Sequence, residues 1–374
     1  MKFKVNSKLL SARLTAVSKV VNSKNTITIL DNFLFSLEGD VLVVTGSDNE
    51  NTLIARIPVE SSEGQGRFAV NVKYILDAIK SVSDQALEFN IDDRNFEINI
   101  RYQNGYFNFI GINGDEFPRR DEQPEEQVRL LLSSKELAES LDHTLFAVAT
   151  EDFRPIMMGV LCDIKEDAIV FVGSDTHKLV RFTNNNLNGG DAAGHSFILP
   201  AKPCSILLSL LPREDEAQVK VEVDDKGARF ISDDFTLICR LINGRYPNYN
   251  SVIPENNPYE ITVDRLSLLN AVKRVSVTAS VGGLVKFDLH ENAIRLKSQD
   301  IDLSTSAEET VNCSYGGVEM LIGFNAERTI EVLNSIDDDN VLIKLGDPSR
   351  AGVFFPLEQK EGRELLVLLM PMVI

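Results

Sequence analysis

Phe3-Lys4-Val5-Asn6, running into a helix-like stretch with Leu10, Leu14 and Val17, decides how the chain is read, because the same pattern occurs twice more. Leu130-Leu131-Leu132-Ser133 leads into Leu137, Leu141 and Leu145, and Glu260-Ile261-Thr262-Val263-Asp264 leads into Leu268, Val272 and Val275. Each copy is a short strand, a polar residue whose side-chain oxygen can take up a free amide at a helix start, and an apolar residue every three or four positions, as one buried helix face requires. The three cap residues Asn6, Ser133 and Asp264 lie 127 and 131 residues apart, so the chain is a threefold repeat of domain size.

Within each repeat the pattern recurs. Phe68-Ala69-Val70-Asn71 precedes Ile75 and Ile79; Phe197-Ile198-Leu199-Pro200 precedes Ile206 and Leu210; Leu321-Ile322-Gly323-Phe324-Asn325 precedes Ile330 and Leu333. Helices are therefore predicted over 7–20, 72–82, 134–147, 201–211, 265–275 and 326–336. Between and after them the sequence alternates, as in Leu87-Phe89-Ile91 and Val219-Val221-Val223, and is broken by turn residues. These turns are Asp92-Asp93, Asn104-Gly105, Asp224-Asp225-Lys226-Gly227, Ser232-Asp233-Asp234 and Gly346-Asp347-Pro348. The expected class is α+β: three domains, each with two helices packed on antiparallel sheets. Polar, proline-containing linkers at Glu122-Gln123-Pro124-Glu125-Glu126 and Pro254-Glu255-Asn256-Asn257-Pro258 put the domains at 1–124, 125–256 and 257–374.

Composition bounds the function. A chain of 374 residues with 43% hydrophobic and 25% charged residues has material for several cores. Its net charge of −18 excludes a surface that grips nucleic acid all over, so any such role needs a local basic face. Cys162, Cys204, Cys239 and Cys313 form no CxxC pair and read as buried free thiols, with no metal site implied. Met1-Lys2-Phe3-Lys4-Val5 alternates like a strand and lacks a signal peptide's apolar core, and no apolar run is long enough to span a bilayer, so a cytoplasmic protein is expected.

The predicted helices hold 11 Lys/Arg against 6 Asp/Glu, while the rest of the chain holds 27 against 50. A basic helical layer inside an acidic shell suits a pore that holds a polyanion such as duplex DNA weakly, while outer acidic sheets repel it. Lys8, Arg13, Lys19, Lys73, Lys80, Lys202, Arg265, Lys273, Arg274 and Arg328 are the DNA-facing residues this reading selects. A plainer reading, a solvated helix face, stands beside it. Two helices run against the pattern, 134–147 through Glu136, Glu139 and Asp142, and 326–336 through Glu327 and Glu331.

Three further motifs give a resemblance. Gly173-Ser174-Asp175-Thr176-His177-Lys178-Leu179, Gly244-Arg245-Tyr246-Pro247-Asn248-Tyr249 continuing to Val252-Ile253-Pro254, and Leu369-Met370-Pro371-Met372 are each weak alone. In this order, on a threefold repeat, the chain resembles the β subunit of bacterial DNA polymerase III, the sliding-clamp family, over its whole length. The resemblance implies a DNA clamp fold, a head-to-tail homodimer whose six repeats close a ring around DNA, and no catalysis or cofactor. It implies a groove between the second and third domains that takes short peptides from DNA polymerase III α subunit, other polymerases, the clamp loader and repair factors. By motif match the groove uses Arg154, Met157, Ser174, Thr176, His177, Lys178, Leu179, Pro247, Val252, Leu368, Met370, Pro371 and Met372. Apolar and methionine side chains make an adaptable socket, with Arg154, His177 and Lys178 at its rim; on residues alone, Met370-Pro371-Met372 reads first as a C-terminal strand burying its apolar side chains, and the resemblance reverses that order. Ser251 and Val373 stand where the family often has basic residues, which makes this groove less basic. The loop Thr150-Glu151-Asp152 is acidic beside the implied DNA path, whereas Lys24 is a further DNA-facing residue. Ring closure is assigned to Phe107 and Phe109 on an edge strand and to Val277, although both phenylalanines could serve their own domain's core.

Rival functions leave little trace. The chain has no P-loop, GxSxG or HExxH motif, and Gly64-Gln65-Gly66-Arg67-Phe68-Ala69 precedes a strand when a dinucleotide loop should follow one. His177 beside Asp175 has no other His at ligand spacing. Asp48, Asp175 and Asp300 recur at like places in the three repeats, which suits a turn residue better than an asymmetric catalytic pair. A three-repeat scaffold that never closes a ring is the other alternative.

Overall fold

A computed structural model describes residues 1–22, 25–118, 128–151, 153–214 and 216–374. The linker Glu122–Glu126, Lys24 and Asp152 lie outside the described residues.

The elements follow the repeat. The first third runs β1 (Lys2–Asn6), α1 (Ser7–Ser18), β2 (Asn32–Glu38), β3 (Val41–Ser47), β4 (Asn51–Pro58), β5 (Ser61–Glu63), β6 (Gly66–Asn71), α2 (Val72–Lys80), β7 (Ala86–Ile91), β8 (Glu97–Tyr102), β9 (Gly105–Ile110) and β10 (Ile112–Asn113). The second runs β11 (Val128–Ser133), α3 (Ser134–Leu145), β12 (Gly159–Ile164), β13 (Ile169–Ser174), β14 (Lys178–Asn184), β15 (Ser196–Pro200), α4 (Ala201–Leu210), β16 (Gln218–Val223), β17 (Gly227–Ile231) and β18 (Phe235–Arg240). The third runs β19 (Tyr259–Asp264), α5 (Arg265–Ser276), β20 (Leu284–His290), β21 (Ala293–Asp300), β22 (Thr305–Ser314), β23 (Met320–Asn325), α6 (Ala326–Asn334), β24 (Asn340–Leu345), β25 (Gly352–Pro356) and β26 (Arg363–Leu369). All six predicted helices form within two residues of their expected ends, and every predicted turn joins two strands.

The helices start where the caps put them. Asn6 accepts from the Leu9 amide, Asn71 from Lys73 and Tyr74, Asp264 from Ser267 and Asn325 from Arg328. Each such bond satisfies an amide that has no partner within its helix, an effect of about 1 kcal/mol. α1 buries Leu10, Leu14 and Val17 completely, and α5 buries Leu268, Ala271, Val272 and Val275. Full burial of each larger side chain contributes roughly 1.5–3 kcal/mol.

The described chain forms two compact units, Met1–Lys135 with Ser205–Leu241, and Glu136–Cys204 with Ile242–Ile374. The first holds a five-stranded sheet, β5-β1-β7-β8-β9, and a nine-stranded sheet, β10-β6-β2-β3-β4-β18-β17-β16-β11. The second holds a twelve-stranded sheet, β15-β12-β13-β14-β26-β25-β24-β19-β22-β21-β20-β23. Among the described residues the strand pairings are antiparallel, as expected. Two pairings join different repeats side by side: β4 with β18 in the first unit, and β14 with β26 in the second.

Glycine marks where a helix lies close on a strand. A Cβ at Gly46 would meet Val17 Cγ1 at 2.7 Å, and one at Gly173 would meet the Thr144 carbonyl oxygen at 2.4 Å. The third repeat has Ser298 at this place, and its hydroxyl donates to the Val275 carbonyl at 2.6 Å. Asp48, Asp175 and Asp300 are turn residues, as read: Asp48 accepts from the Glu50 and Asn51 amides, Asp175 from those of His177 and Lys178, and Asp300 from that of Leu303. All four cysteines are free; Cys162, Cys204 and Cys239 are buried and Cys313 is half-buried. Among the described residues no helix is long and apolar enough to cross a membrane.

Candidate functional site

The second unit brings the three groove motifs together. Its platform is an apolar cluster in which Leu179 and Leu368 pack with Leu161, Val172, Tyr246, Tyr249, Val353 and Leu366, flanked by Ile156, Ile242, Ile253 and Phe355. Strand register explains the meeting, because Leu179 pairs with Leu368 across β14 and β26. Tyr246 and Tyr249, three residues apart in the Gly-Arg-Tyr-Pro-Asn-Tyr motif, both point into this floor. Burial pushes both phenols up. Tyr249 reaches about 12, with Asp163, which accepts its hydroxyl at 2.8 Å, adding to the shift; Tyr246 is raised further. Both stay neutral and packed at any physiological pH. Neither stood among the predicted site residues, although their spacing within a quoted motif was the available signal.

Above this floor lies the loop from Ser174 to Lys178. The Ser174 hydroxyl donates to the Lys178 carbonyl at 2.9 Å, and Thr176 takes φ = 78°, a conformation rarely held by a β-branched residue. Thr176 and His177 are exposed. The tail beyond β26 is pinned at two points: the Met370 amide donates to the His177 carbonyl and the Met372 amide to the Gly323 carbonyl of β23, both at 2.8 Å. Met370–Met372 is thus partly a strand continuation, as the plainer reading had it, yet Met370 remains 41% exposed. Val252 is 55% and Val373 97% exposed, and Arg154 and Pro247 lie at the surface with Met157 half-buried. Exposed apolar groups over a rigid apolar floor can hold a ligand's apolar side chains.

Lys178 departs from its expected place. Its side chain is 7% exposed and its ammonium contacts Glu331 at 2.6 Å and Asp175 at 3.1 Å, so it does not stand at the rim. A second, half-buried network lies in the same unit. Arg363 holds Glu136 through two hydrogen bonds and Glu139 at 3.1 Å. Burial opposes ionisation of Glu136, but hydrogen bonds from Arg363, Asn184 and Asn186 and the Arg363 charge outweigh it and hold its carboxyl below the usual range.

The basic helix residues differ in exposure. Lys8, Lys19, Lys73, Lys80 and Lys273 are exposed, and Lys202 and Arg328 are half-buried. A depression of about 400 Å³ runs along α1 between Lys8, Ser11, Ala12 and Thr15, where short side chains leave room for a close approach. Three predicted DNA-facing arginines are already engaged: Arg13 with Asp234 at 2.5 Å, Arg265 with the Leu333 and Asp338 carbonyls, and Arg274 with both Glu309 oxygens. Only partners far along the chain reveal this, so counting charges on helices could not.

At the predicted ring contact, β9 is an edge strand. Phe107 and Phe109 lie on one face, 6.2 Å apart, with Tyr102 at 5.2 Å from Phe107, and all are partly covered by their own sheet. Tyr106 and Ile110 on its other face are 67% and 72% exposed, and Val277 is 83% exposed.

Comparison with known proteins gives the geometry a family. Three models match in order: the DNA polymerase III beta subunit N-terminal domain over residues 1–121, its central domain over 131–248 and its C-terminal domain over 250–373. A beta sliding clamp from Pseudomonas aeruginosa is 24% identical, and one from Escherichia coli 25%, each over 100% of both chains. The crystal structure of a sliding clamp (DNA polymerase III subunit beta) from Bartonella birtlesii bound to griselimycin matches with a TM-score of 0.93 at 25% identity, covering 100% of both chains. With three consecutive domain matches spanning nearly its whole length, the chain belongs to the DNA polymerase III beta subunit family.

Proposed function

We propose that the protein is a DNA sliding clamp that encircles duplex DNA as a ring-shaped homodimer and tethers polymerases through the groove built from residues 154–157, 174–179, 246–253 and 368–372. The observation that carries this is the assembly of three separate motifs over one apolar floor in a chain whose relatives are beta sliding clamps. The clamp works without chemistry: DNA is held by topology and weak attraction to exposed helix lysines, and the groove raises a polymerase's local concentration at the primer end. Opening falls to a separate loader. Replicative and repair polymerases, the loader and repair factors share the groove, and the setting is the cytoplasm. Ring closure joins β9, with Tyr106, Phe107, Phe109 and Ile110, to the Val277 region of a second copy. Its three clamp domains run over 1–124, 125–256 and 257–374.

Light scattering at micromolar concentration tests the ring: the expected mass is twice 41.6 kDa. Protein loaded on nicked circular DNA should stay bound in gel filtration and be lost when the circle is cut. A persistent monomer, or equal retention on linear DNA, would overturn the topological reading. Titration with griselimycin tests the groove, with binding at one site per chain expected.

A further inference from the structure

We propose that Lys178 is a positioning residue, a buried strut that fixes the groove loop to α6 through Glu331, and that it does not itself meet the ligand. The inference rests on the groove reading above and deepens it. An ammonium has three donors and no acceptor. Here it lies 2.6 Å from Glu331 and 3.1 Å from Asp175, with the Phe146 ring centroid at 5.9 Å, and the side chain is 7% exposed. Its charge is balanced inside the protein, so an incoming carboxylate would find neither access nor an unsatisfied cation.

The loop needs such a brace. Thr176 sits at φ = 78°, a strained conformation that persists only where its surroundings over-determine it. The bonds that hold the loop include the Ser174 hydroxyl to the Lys178 carbonyl, the His177 and Lys178 amides to the Asp175 carboxylate, the Thr176 amide to the Ser174 hydroxyl, and the Met370 amide to the His177 carbonyl. These act on the loop and its neighbouring strand; the Lys178–Glu331 pair ties it to a helix 153 residues onward. The matching loop between β3 and β4 has the same backbone, with Asn49 at φ = 77°, but Asn51 at the lysine's place turns its amide back onto Asp48 at 3.0 Å. The external brace therefore belongs to the loop that carries the groove.

The test is calorimetric titration of the full-length protein with griselimycin, using the wild type, Lys178→Met, Glu331→Gln, the double variant and Lys178→Arg. For a strut, each neutralising single change weakens binding about tenfold, the double variant is no weaker than the worse single, and Lys178→Arg recovers most of the affinity. For a rim cation, Glu331→Gln leaves binding unchanged or tightens it by releasing the charge, and that result overturns the proposal. Hydrogen exchange of the 174–178 amides gives a ligand-free readout: faster exchange in Glu331→Gln supports the strut, and unchanged exchange refutes it. Failure of the wild type to bind griselimycin would sink the groove reading, while the exchange result would still decide the strut.

Discussion

Two junctions between repeats share one frame and end differently. At the first, β4 pairs with β18; at the second, β14 pairs with β26. Gly46-Ser47-Asp48-Asn49-Glu50-Asn51 and Gly173-Ser174-Asp175-Thr176-His177-Lys178 turn alike, with the same serine-to-carbonyl bond at 2.9 Å. The residue that follows the last cross-strand pair donates to the same loop position in both: the Arg240 amide, after the Cys239–Asn51 pair, to the Glu50 carbonyl, and the Met370 amide, after the Leu369–Lys178 pair, to the His177 carbonyl. Side chains then diverge. Arg240 reaches Glu50 at 3.2 Å and gives the first junction an ion pair, whereas the second has the thioether of Met370, 41% exposed, beside the exposed His177. The two junctions therefore share their backbone geometry and differ in the side chain at this place, an ion-paired arginine in one and a methionine in the other.

The comparison can be broken in four places. The largest effect is expected under the helices. Gly173→Ala forces a Cβ against a backbone oxygen and should cost about 3 kcal/mol or more, while Gly46→Ala presses mainly on the buried Val17 side chain, with the Val17 carbonyl farther off, and should cost about 1–2 kcal/mol. Equal shifts in urea midpoint would mean that the helices are seated alike. Next, Arg363→Met leaves Glu136 and Glu139 without their common partner and should cost about 2–3 kcal/mol, less than for a fully buried pair because all three side chains keep some exposure. Because Glu136 is held below its unfolded range, its contribution is complete above that range and fades as pH falls through the lowered value. Wild-type stability should therefore drop more steeply on acidification below about pH 4 than that of Arg363→Met; parallel curves would remove the network from the account.

Third, Met370→Arg gives the second junction the first junction's residue and should weaken griselimycin binding by about 2 kcal/mol, with the thermal midpoint nearly unchanged. Undiminished binding would place the ligand elsewhere. The smallest effect belongs to Arg240→Met: both partners of its ion pair are more than half exposed, so stability should change by less than about 1 kcal/mol. A larger loss would mean that the first junction depends on that pair after all.

What could be read in the sequence follows from the range of the interactions concerned. Helix starts were legible because caps act over two or three residues, as at Asn6 and Asp264. The repeat was legible because one local pattern, a strand, a polar cap and a helix, recurs at Asn6, Ser133 and Asp264. The groove's apolar residues were legible only as motifs, and its aromatic floor was overlooked because Tyr246 and Tyr249 look like loop residues until Leu179 and Leu368 pack against them. Charge was read least well. Arg13, Lys178 and Arg265 have partners that only the fold supplies, so a count of positive residues overstated how many remain for a ligand.

The pairing of β14 with β26 also bears on motion. It carries one sheet from the middle third of the chain into the last, with seven residue pairs from Lys178–Leu369 to Asn184–Arg363. The covalent connection near residues 248–258 therefore cannot act as a swivel, because turning about it would require those pairs to part together. The two sides of the groove are held in register before any ligand arrives. In entropic terms, the ordering of this surface took place when the chain folded, and any flexible ligand proposed for it would bring nearly all of the disorder that binding must remove.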